Sequence, residues 1–536
     1  MQPPLNASAS SAGKLLSGFT FEVPQFQREY SWSEDEVTEF WDDLQASLDD
    51  DQPYFLGLVI LTDRPKRKFV VDGQQRLLTL TLLATAIYYE AIRDRRALAD
   101  RIQADFIQSI DYDTDKIEPR IILSDETDNR TFQTIIKTGV SPTDIDEEDS
   151  VSSRMVESYD LLRGKLREDL STNAFKRLGK WADFLTHRLY FAVFVHPDAS
   201  SAYQVYEVIN TRGKELTTAD LLKNYVLSEG SDVIRNQRYK KWKEIAKQFG
   251  GDGATFVQFI RHAVTVESGH ILPKDLFGFL AGREEHSEKK PPSTLQLLKL
   301  LEKHLPLYLQ MMDPTLPGPA KPEALGIFAA LNNLGVIAVR PILLAVSEGQ
   351  DSLNGMRYVL RLVVRRIVVG GLGTGNVERR FGEAAKGVFE SGSWKILERN
   401  LRDLNPGKED FVDQLRRRSF SKSILAFLRR SIVEQTTTPE IEGTLHFIWA
   451  RQFEDWTGMS KEDGAYWGAT VGNTFLSDLS KRPEEATTWR GFKEALLPSA
   501  IKGEWVDRLE KIRDWDARAV EKMGAKLAES AGDIWY

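Results

Sequence analysis

The sequence predicts an α+β fold, predominantly helical, and three observations point there. Between about Phe19 and Ser228, short apolar runs (YFLGLVIL, KFVVDG, LYFAVFVH) alternate with amphipathic stretches at helical spacing. From about Asp232 to Leu425 the spacing is helical almost throughout. From about Thr436 to Tyr536, aromatic anchors including Trp449, Trp456, Trp467 and Trp505 suffice for a small core of their own. The expected organisation is a flexible lead-in over residues 1–18, followed by regions at 19–230, 231–435 and 436–536.

Composition narrows the function classes. A chain of 536 residues with 28% charged residues buries a large core and divides into two or three domains. The formal net charge of -8 excludes a wholly basic nucleic-acid coat and leaves room for a local basic face. The absence of cysteine excludes disulfide frameworks, Cys-ligated zinc and thiol nucleophiles, and fits a cytoplasmic location. The opening MQPPLNASASSAGKLL lacks the apolar core of a signal peptide and reads as flexible. No run reaches the length of a membrane span: LTLTLLATAIYY is soon closed by Glu90, Arg93 and Asp94.

In chain order, VPQFQREYSWSEDEVTEFWDDL (23–44) places Gln27, Arg28, Tyr30 and Trp32 on an extended segment. Ser33 then caps a helix, with Glu36 three residues on. Lys68 to Val71 is β-prone, Asp72-Gly73 is a turn, and Gln75 onward is helical, with Leu77, Leu78, Leu80, Leu82 and Leu83 wrapping most of the helix surface. VYEVINTRGKELTTADLLKNYVLS (205–228) puts Asn210, Arg212 and Gly213 in a loop before a helix capped by Thr217 with Asp220 behind it. Further on, Leu297 to Leu305 and Ala324 to Val346 are packed helices, and Glu284 to Pro292 is a loop. VVGGLGTGN (368–376) fails as a dinucleotide loop because Asn376 stands where the last glycine of G-x-G-x-x-G is required, so it reads as a helix terminator or hinge.

DGQQR sits at a helix N-terminus, where unpaired backbone N–H groups and the positive end of the dipole suit phosphate, and Gly73 permits close approach. Arg76 forks onto phosphate oxygens, Asp72 holds a magnesium ion or its waters, and Gln74 or Gln75 orients a water or ribose hydroxyl. An equally weighted alternative is that Asp72 merely caps the helix and Arg76 pairs with a carboxylate. Tyr30 and Trp32 read as core anchors. Lys214 and Lys223 stand within reach of phosphate, although lysines on helix faces are usually solvated.

These three segments, with YFLGLVIL and PRIILSDETDN between them, resemble the N-terminal domain of GmrSD-type restriction endonucleases across roughly Phe19 to Ser228. The resemblance implies a ParB/sulfiredoxin-like fold and a nucleotide site lined by Gln27, Arg28, Asp72, Gly73, Gln74, Gln75, Arg76, Asn210, Arg212 and Gly213. It also implies NTP hydrolysis with Mg2+ (or Mn2+) at Asp72, double-stranded and modified DNA as target, and a place in antiphage defence. A partner protein and an oligomer are both compatible with it.

The C-terminal region resembles the family's HNH-type nuclease of ββα-metal architecture at TLHFIWARQ (444–452), VGN (471–473) and the closing helix pattern. The resemblance makes His446 the general base and Asn473 the loop-orienting residue. Leu445 replaces the expected acid, and Lys481-Arg482-Pro483 stands where a later Asn or His ligand belongs. Glu442, Asp478 and Glu484 are the carboxylates left to rescue a metal site, and a degenerate nuclease is the favoured reading. The alternative function is then an NTP-regulated DNA sensor or switch acting through a partner. A stripe of Arg357, Arg361, Arg365 and Arg366, with Arg379, Arg380 and Arg416 to Arg418 nearby, is the candidate DNA clamp. An ordinary solvated face is at least as good a reading of it.

Overall fold

The computed structural model describes residues 6–24, 30–62, 67–143, 150–196, 217–227, 232–282, 290–370, 374–451, 453, 456 and 458–536. The chain forms two compact units, Met1–Trp242 and Lys243–Tyr536. The division falls inside the Asp232–Lys247 helix, beyond the expected boundary at 230. The fold is α+β and predominantly helical, as its sequence pattern predicts.

In the first unit the strands are β1 (Asn6–Ser11), β2 (Phe21–Val23), β3 (Tyr54–Thr62), β4 (Lys68–Asp72), β5 (Gln108–Ile110), β6 (Ile117–Pro119), β7 (Ile121–Leu123) and β8 (Leu189–His196). Six of them form one mixed sheet in the order β1-β8-β3-β4-β2-β7, while β5 and β6 form a separate hairpin. The helices are α1 (Ala12–Gly18), α2 (Glu34–Asp49), α3 (Gln74–Ala91), α4 (Arg96–Ile102), α5 (Glu126–Thr138), α6 (Val151–Asp169) and α7 (Ala174–Asp183).

Residues 6–18 are not a loose lead-in. Asn6 to Ser11 pair antiparallel with β8, from Asn6↔Val195 to Ser11↔Tyr190. Ser11 then caps α1, whose Ala12, Leu15 and Leu16 are buried. The stretch has too few apolar residues to announce itself, and its order comes from partners distant in sequence.

Helix α3 is apolar on nearly every side and lies at the centre of this unit, packed against α4, α5 and α6. A helix with no polar face has nowhere else to go. Trp41 of α2 stacks on Trp181 of α7 with ring centroids 4.9 Å apart. Asp169, at the end of α6, ties the same corner together by accepting from Arg177, from Trp181 Nε1 and from Gln45 Nε2.

The second unit is helical from Lys243 to Glu434 and ends in a two-stranded antiparallel sheet, β9 (Thr444–Phe447) on β10 (Thr474–Ser477), and a closing helix, Ala517–Trp535. The expected division at 435/436 is not present. The closing helix packs on the Lys408–Arg417 and Lys422–Glu434 helices, and Arg429 forms a fully buried ion pair with Glu504. Leu476 N and Trp505 N also donate to the Glu504 carboxylate, at 3.1 and 3.0 Å. One core therefore spans both expected regions.

Within this unit, Ala324 to Val346 resolve into two helices, Pro322–Asn333 and Arg340–Glu348. The Ser352–Val369 helix stops at Gly370, whose φ of 72° leaves the helical region, so Gly370 acts as the terminator. Of the expected loop, residues 284–289 lie outside the described set.

Candidate nucleotide site at the β4–α3 turn

Strand β4 lies inside the sheet, between β3 and β2, and its last residue Asp72 pairs with Ile60 of β3. One residue later the chain is helical. That abrupt change needs Gly73, which takes φ 89° and packs so tightly on β3 that a Cβ would lie 2.8 Å from Val59 Cγ2 and 2.9 Å from Leu58 O. The N-cap of α3 is Gly73, which has no side chain to cap the helix. The residues of the turn therefore border backbone N–H groups at the positive end of an 18-residue helix.

Asp72 is mostly withdrawn from water. Burial pushes its carboxyl above the usual range, offset in part by a hydrogen bond from the Gly73 backbone and by the charge of Arg76. One turn along α3, Arg76 Nη1 donates to Leu58 O at 3.2 Å, and its guanidinium lies against Gly57. Gly57 has φ 119° and sits where the β3–β8 pairing shifts register. The bulge opens the space the arginine occupies, and a Cβ there would meet Arg76 Cζ at 3.1 Å. A lone glycine inside YFLGLVIL is the sequence signal for that bulge.

Gln75 Oε1 accepts from Ser31 N at 3.0 Å, joining the SW end of QREYSW to the turn. Gln74 is buried. Tyr30 is a core anchor, with its hydroxyl 2.8 Å from Thr79 Oγ1 and 3.0 Å from Ser158 Oγ. Trp32 packs on Phe40 at 5.6 Å. Both expected caps form. Ser33 and Glu36 make a reciprocal capping box. Thr217 Oγ1 donates to Asp220 Oδ2 at 2.7 Å and accepts from Asp220 N at 3.2 Å.

The structure thus brings Asp72, Gly73, Gln74, Gln75 and Arg76 together. Gln27, Arg28, Asn210, Arg212, Gly213 and Lys214 lie outside the described residues. Lys223 is buried, not solvated.

The C-terminal candidates behave differently. His446 faces Phe475 across the hairpin, and its Nε2 lies 3.0 Å from Leu479 O. A carbonyl only accepts, so Nε2 carries the proton and Nδ1 the lone pair. Burial holds the imidazole below its usual pKa, with Lys422 and Arg482 adding to the shift and the Leu479 carbonyl opposing it.

Asn473 is saturated by structure. Its Oδ1 accepts from Trp449 N and Trp515 Nε1, and its Nδ2 donates to Trp449 O and Gly468 O. Arg482, at the expected later-ligand position, donates to Phe447 O, Ile448 O and Ala486 O. Burial lowers its pKa to about 10. A guanidinium thus lies against the carbonyls that follow His446. Glu442, Asp478 and Glu484 are exposed, and among the described residues no three His, Cys, Asp or Glu side chains gather to hold a metal ion.

The arginine stripe is also split. Arg365 is buried: its Nε and Nη2 donate to Trp535 O, its Nη1 donates to Asn405 Oδ1, and its guanidinium lies 3.8 Å over Tyr536. Arg366 turns back to Gly370 O, Arg361 is half-buried, and Arg357 is exposed. Arg380 pairs with Asp403. A four-arginine clamp is therefore corrected to one exposed arginine and a structural staple.

Among the described residues no helix is long and apolar enough to cross a membrane. No curated protein matches the chain. Residues 12–227, less than half of the 536, match the family described as GmrSD restriction endonuclease, N-terminal domain. That span contains the strand, glycine turn and buried helix carrying DGQQR, so the part of the chain that holds the candidate site is similar to the N-terminal domain of GmrSD restriction endonucleases.

Proposed function

We propose that the β4–α3 turn binds and hydrolyses a nucleoside triphosphate in an antiphage defence protein directed at double-stranded, modified DNA. The supporting observation is the turn itself, where a left-handed glycine at the N-cap of an 18-residue helix, a desolvated carboxylate and an arginine one turn on converge. Asp72 has the character of a cation holder, because a buried carboxylate short of compensation gains most from a positive partner. It is a single carboxylate, which suits Mg2+ bound mainly by phosphate oxygens and water. Bound there, Mg2+ would neutralise charge on the phosphates.

The chain's own residues do the rest. The first N–H groups of α3 receive phosphate oxygens. Arg76 keeps one N–H on Leu58 O, which aims the guanidinium, and its remaining N–H groups stabilise charge on the transferred phosphoryl group. Gln75, anchored to Ser31 N, is placed to orient a water or ribose hydroxyl. Magnesium-dependent NTP turnover should fall at least tenfold in Asp72→Ala or Arg76→Ala, equivalent to about 1.4 kcal/mol or more of transition-state stabilisation. Wild-type turnover in either variant would remove the assignment.

A second reading concerns output and is favoured by Arg482. With the carbonyls after His446 held by a guanidinium, the C-terminal hairpin serves as a scaffold, and cleavage belongs to a partner protein. Plain and modified plasmids incubated with the protein, Mg2+ or Mn2+ and each NTP should show at most weak nicking. Robust cleavage abolished by His446→Ala would restore the nuclease.

A further inference from the structure

Two aromatic side chains of the main sheet stand in water close to the β4–α3 turn. Phe55 of β3 is 62% exposed and Tyr190 of β8 is 37% exposed. They are direct partners in the parallel β3–β8 pairing, so their rings rise side by side from one face of the sheet. Large apolar rings grouped in water mark a contact site, and the reading of the turn leaves this pair without a role.

The register shows that theirs is the face that carries Asp72. Leu189, Phe191 and Val193 of β8 point into the core, as do Leu56, Val59 and Leu61 of β3. Side chains alternate along a strand, which leaves Tyr190, Ala192 and Phe194 on the opposite face. Their partners on β3 are Phe55, Leu58 and Ile60, and the partner of Ile60 on β4 is Asp72. Paired residues project to the same side, so Phe55, Tyr190 and the Asp72 carboxylate share a face.

The spacing suits one kind of ligand. Leu58, whose carbonyl receives Arg76 Nη1 and lies against the start of α3, is paired with Ala192, two residues on from Tyr190. The aromatic pair therefore lies about 7 Å along β8 from the level of the turn, a gap that a ribose bridges. Ala192, and Ala9 paired with it on β1, are the neighbouring side chains on that face. Both are small, and a flat ring system laid on the aromatic pair meets no obstruction from them.

We propose that Phe55, flanked by Tyr190, is the stacking platform for the base of the nucleoside triphosphate whose phosphates sit at the start of α3. The proposal rests on the nucleotide reading of that turn and adds the place of the base. Every base has a π-face that an aromatic ring accepts. Ala9 and Ala192 have no side-chain group to read a base edge, so the platform supplies affinity with little choice between bases.

The test titrates the full chain in Mg2+ by calorimetry with the β,γ-imido analogues of ATP and UTP, and with inorganic tripolyphosphate, which has the phosphates and no base. Both analogues are expected to bind more tightly than tripolyphosphate. Phe55→Ala, at an exposed position, should melt as wild type does and weaken both analogues at least fivefold, the lower end of what stacking one base is worth. Tripolyphosphate should bind that variant unchanged, and Phe55→Trp should bind the analogues at least as tightly as wild type. Arg76→Ala should weaken all three ligands, which separates the phosphate contacts from the base contact. Analogues no tighter than tripolyphosphate, or analogue affinity unchanged in Phe55→Ala, would overturn the platform and leave the turn standing. Binding of none of the three by wild type would remove the reading of the turn and the platform with it.

Discussion

Asp72 costs the fold stability for as long as it is charged. Burial raises its folded pKa above the unfolded value, so between the two values the unfolded chain holds fewer protons and stability falls as pH rises. Asp72→Asn removes a cost that is complete above the folded pKa and absent below about pH 4. The variant should therefore melt higher than wild type at pH 7 while losing NTP turnover, and the gap in melting temperature should close as pH falls toward 4. A variant that melts lower at pH 7 would show that the carboxylate is compensated in the free protein. This residue was legible because its chemistry is local: an acid, a glycine and a helix start adjacent in sequence announce a phosphate cradle. The partner of Arg76 was not legible, because Leu58 O is presented by a strand bulge 18 residues earlier. Nor was Ser31, which contributes only its backbone N–H to Gln75.

At the scale of the element, helical spacing put Arg357, Arg361 and Arg365 on one face and was right about the face. Spacing alone does not tell whether a face meets solvent or another helix. Arg365 meets the end of the chain, where Trp535 O and Tyr536 take its guanidinium, while Arg357, two turns earlier, remains exposed. Arg365→Ala leaves Trp535 O without its donor and should cost about 1.5–3 kcal/mol in urea unfolding, the usual worth of a hydrogen bond to a charged group. Arg357→Ala should change stability by less than about 0.5 kcal/mol. Equal losses in the two variants would contradict this division. The hairpin of β9 and β10 follows the same rule: the missing acid at Leu445 was readable, whereas the three carbonyls held by Arg482 belong to the folded chain alone.

For the whole molecule, the expected boundary near residue 435 failed because composition registers aromatic content, not what the aromatic residues pack against. Phe427 meets Trp535 at 5.9 Å, and Arg429 with Glu504 forms a charged link within the shared core. Among the described residues Arg429 Nε and Nη1 have no partner of their own, so Glu504→Ala would strand the guanidinium. The expected loss is about 3–5 kcal/mol, read by calorimetry as a downshift of the transition that belongs to Lys243–Tyr536. A fragment of residues 436–536 should not fold alone. The sheet of the first unit carries a different liability. Strand β1 covers the outer edge of β8, whose sequence LYFAVFVH is apolar and β-branched or aromatic nearly throughout. Deleting residues 1–11 would bare that edge, an unprotected row of N–H and C=O groups on a sticky strand that any second copy can extend. The deletion should yield a protein that scatters light and binds thioflavin on mild warming, under conditions where the full chain stays clear. The small polar residues at the start of the chain would then be, in effect, its guard against aggregation.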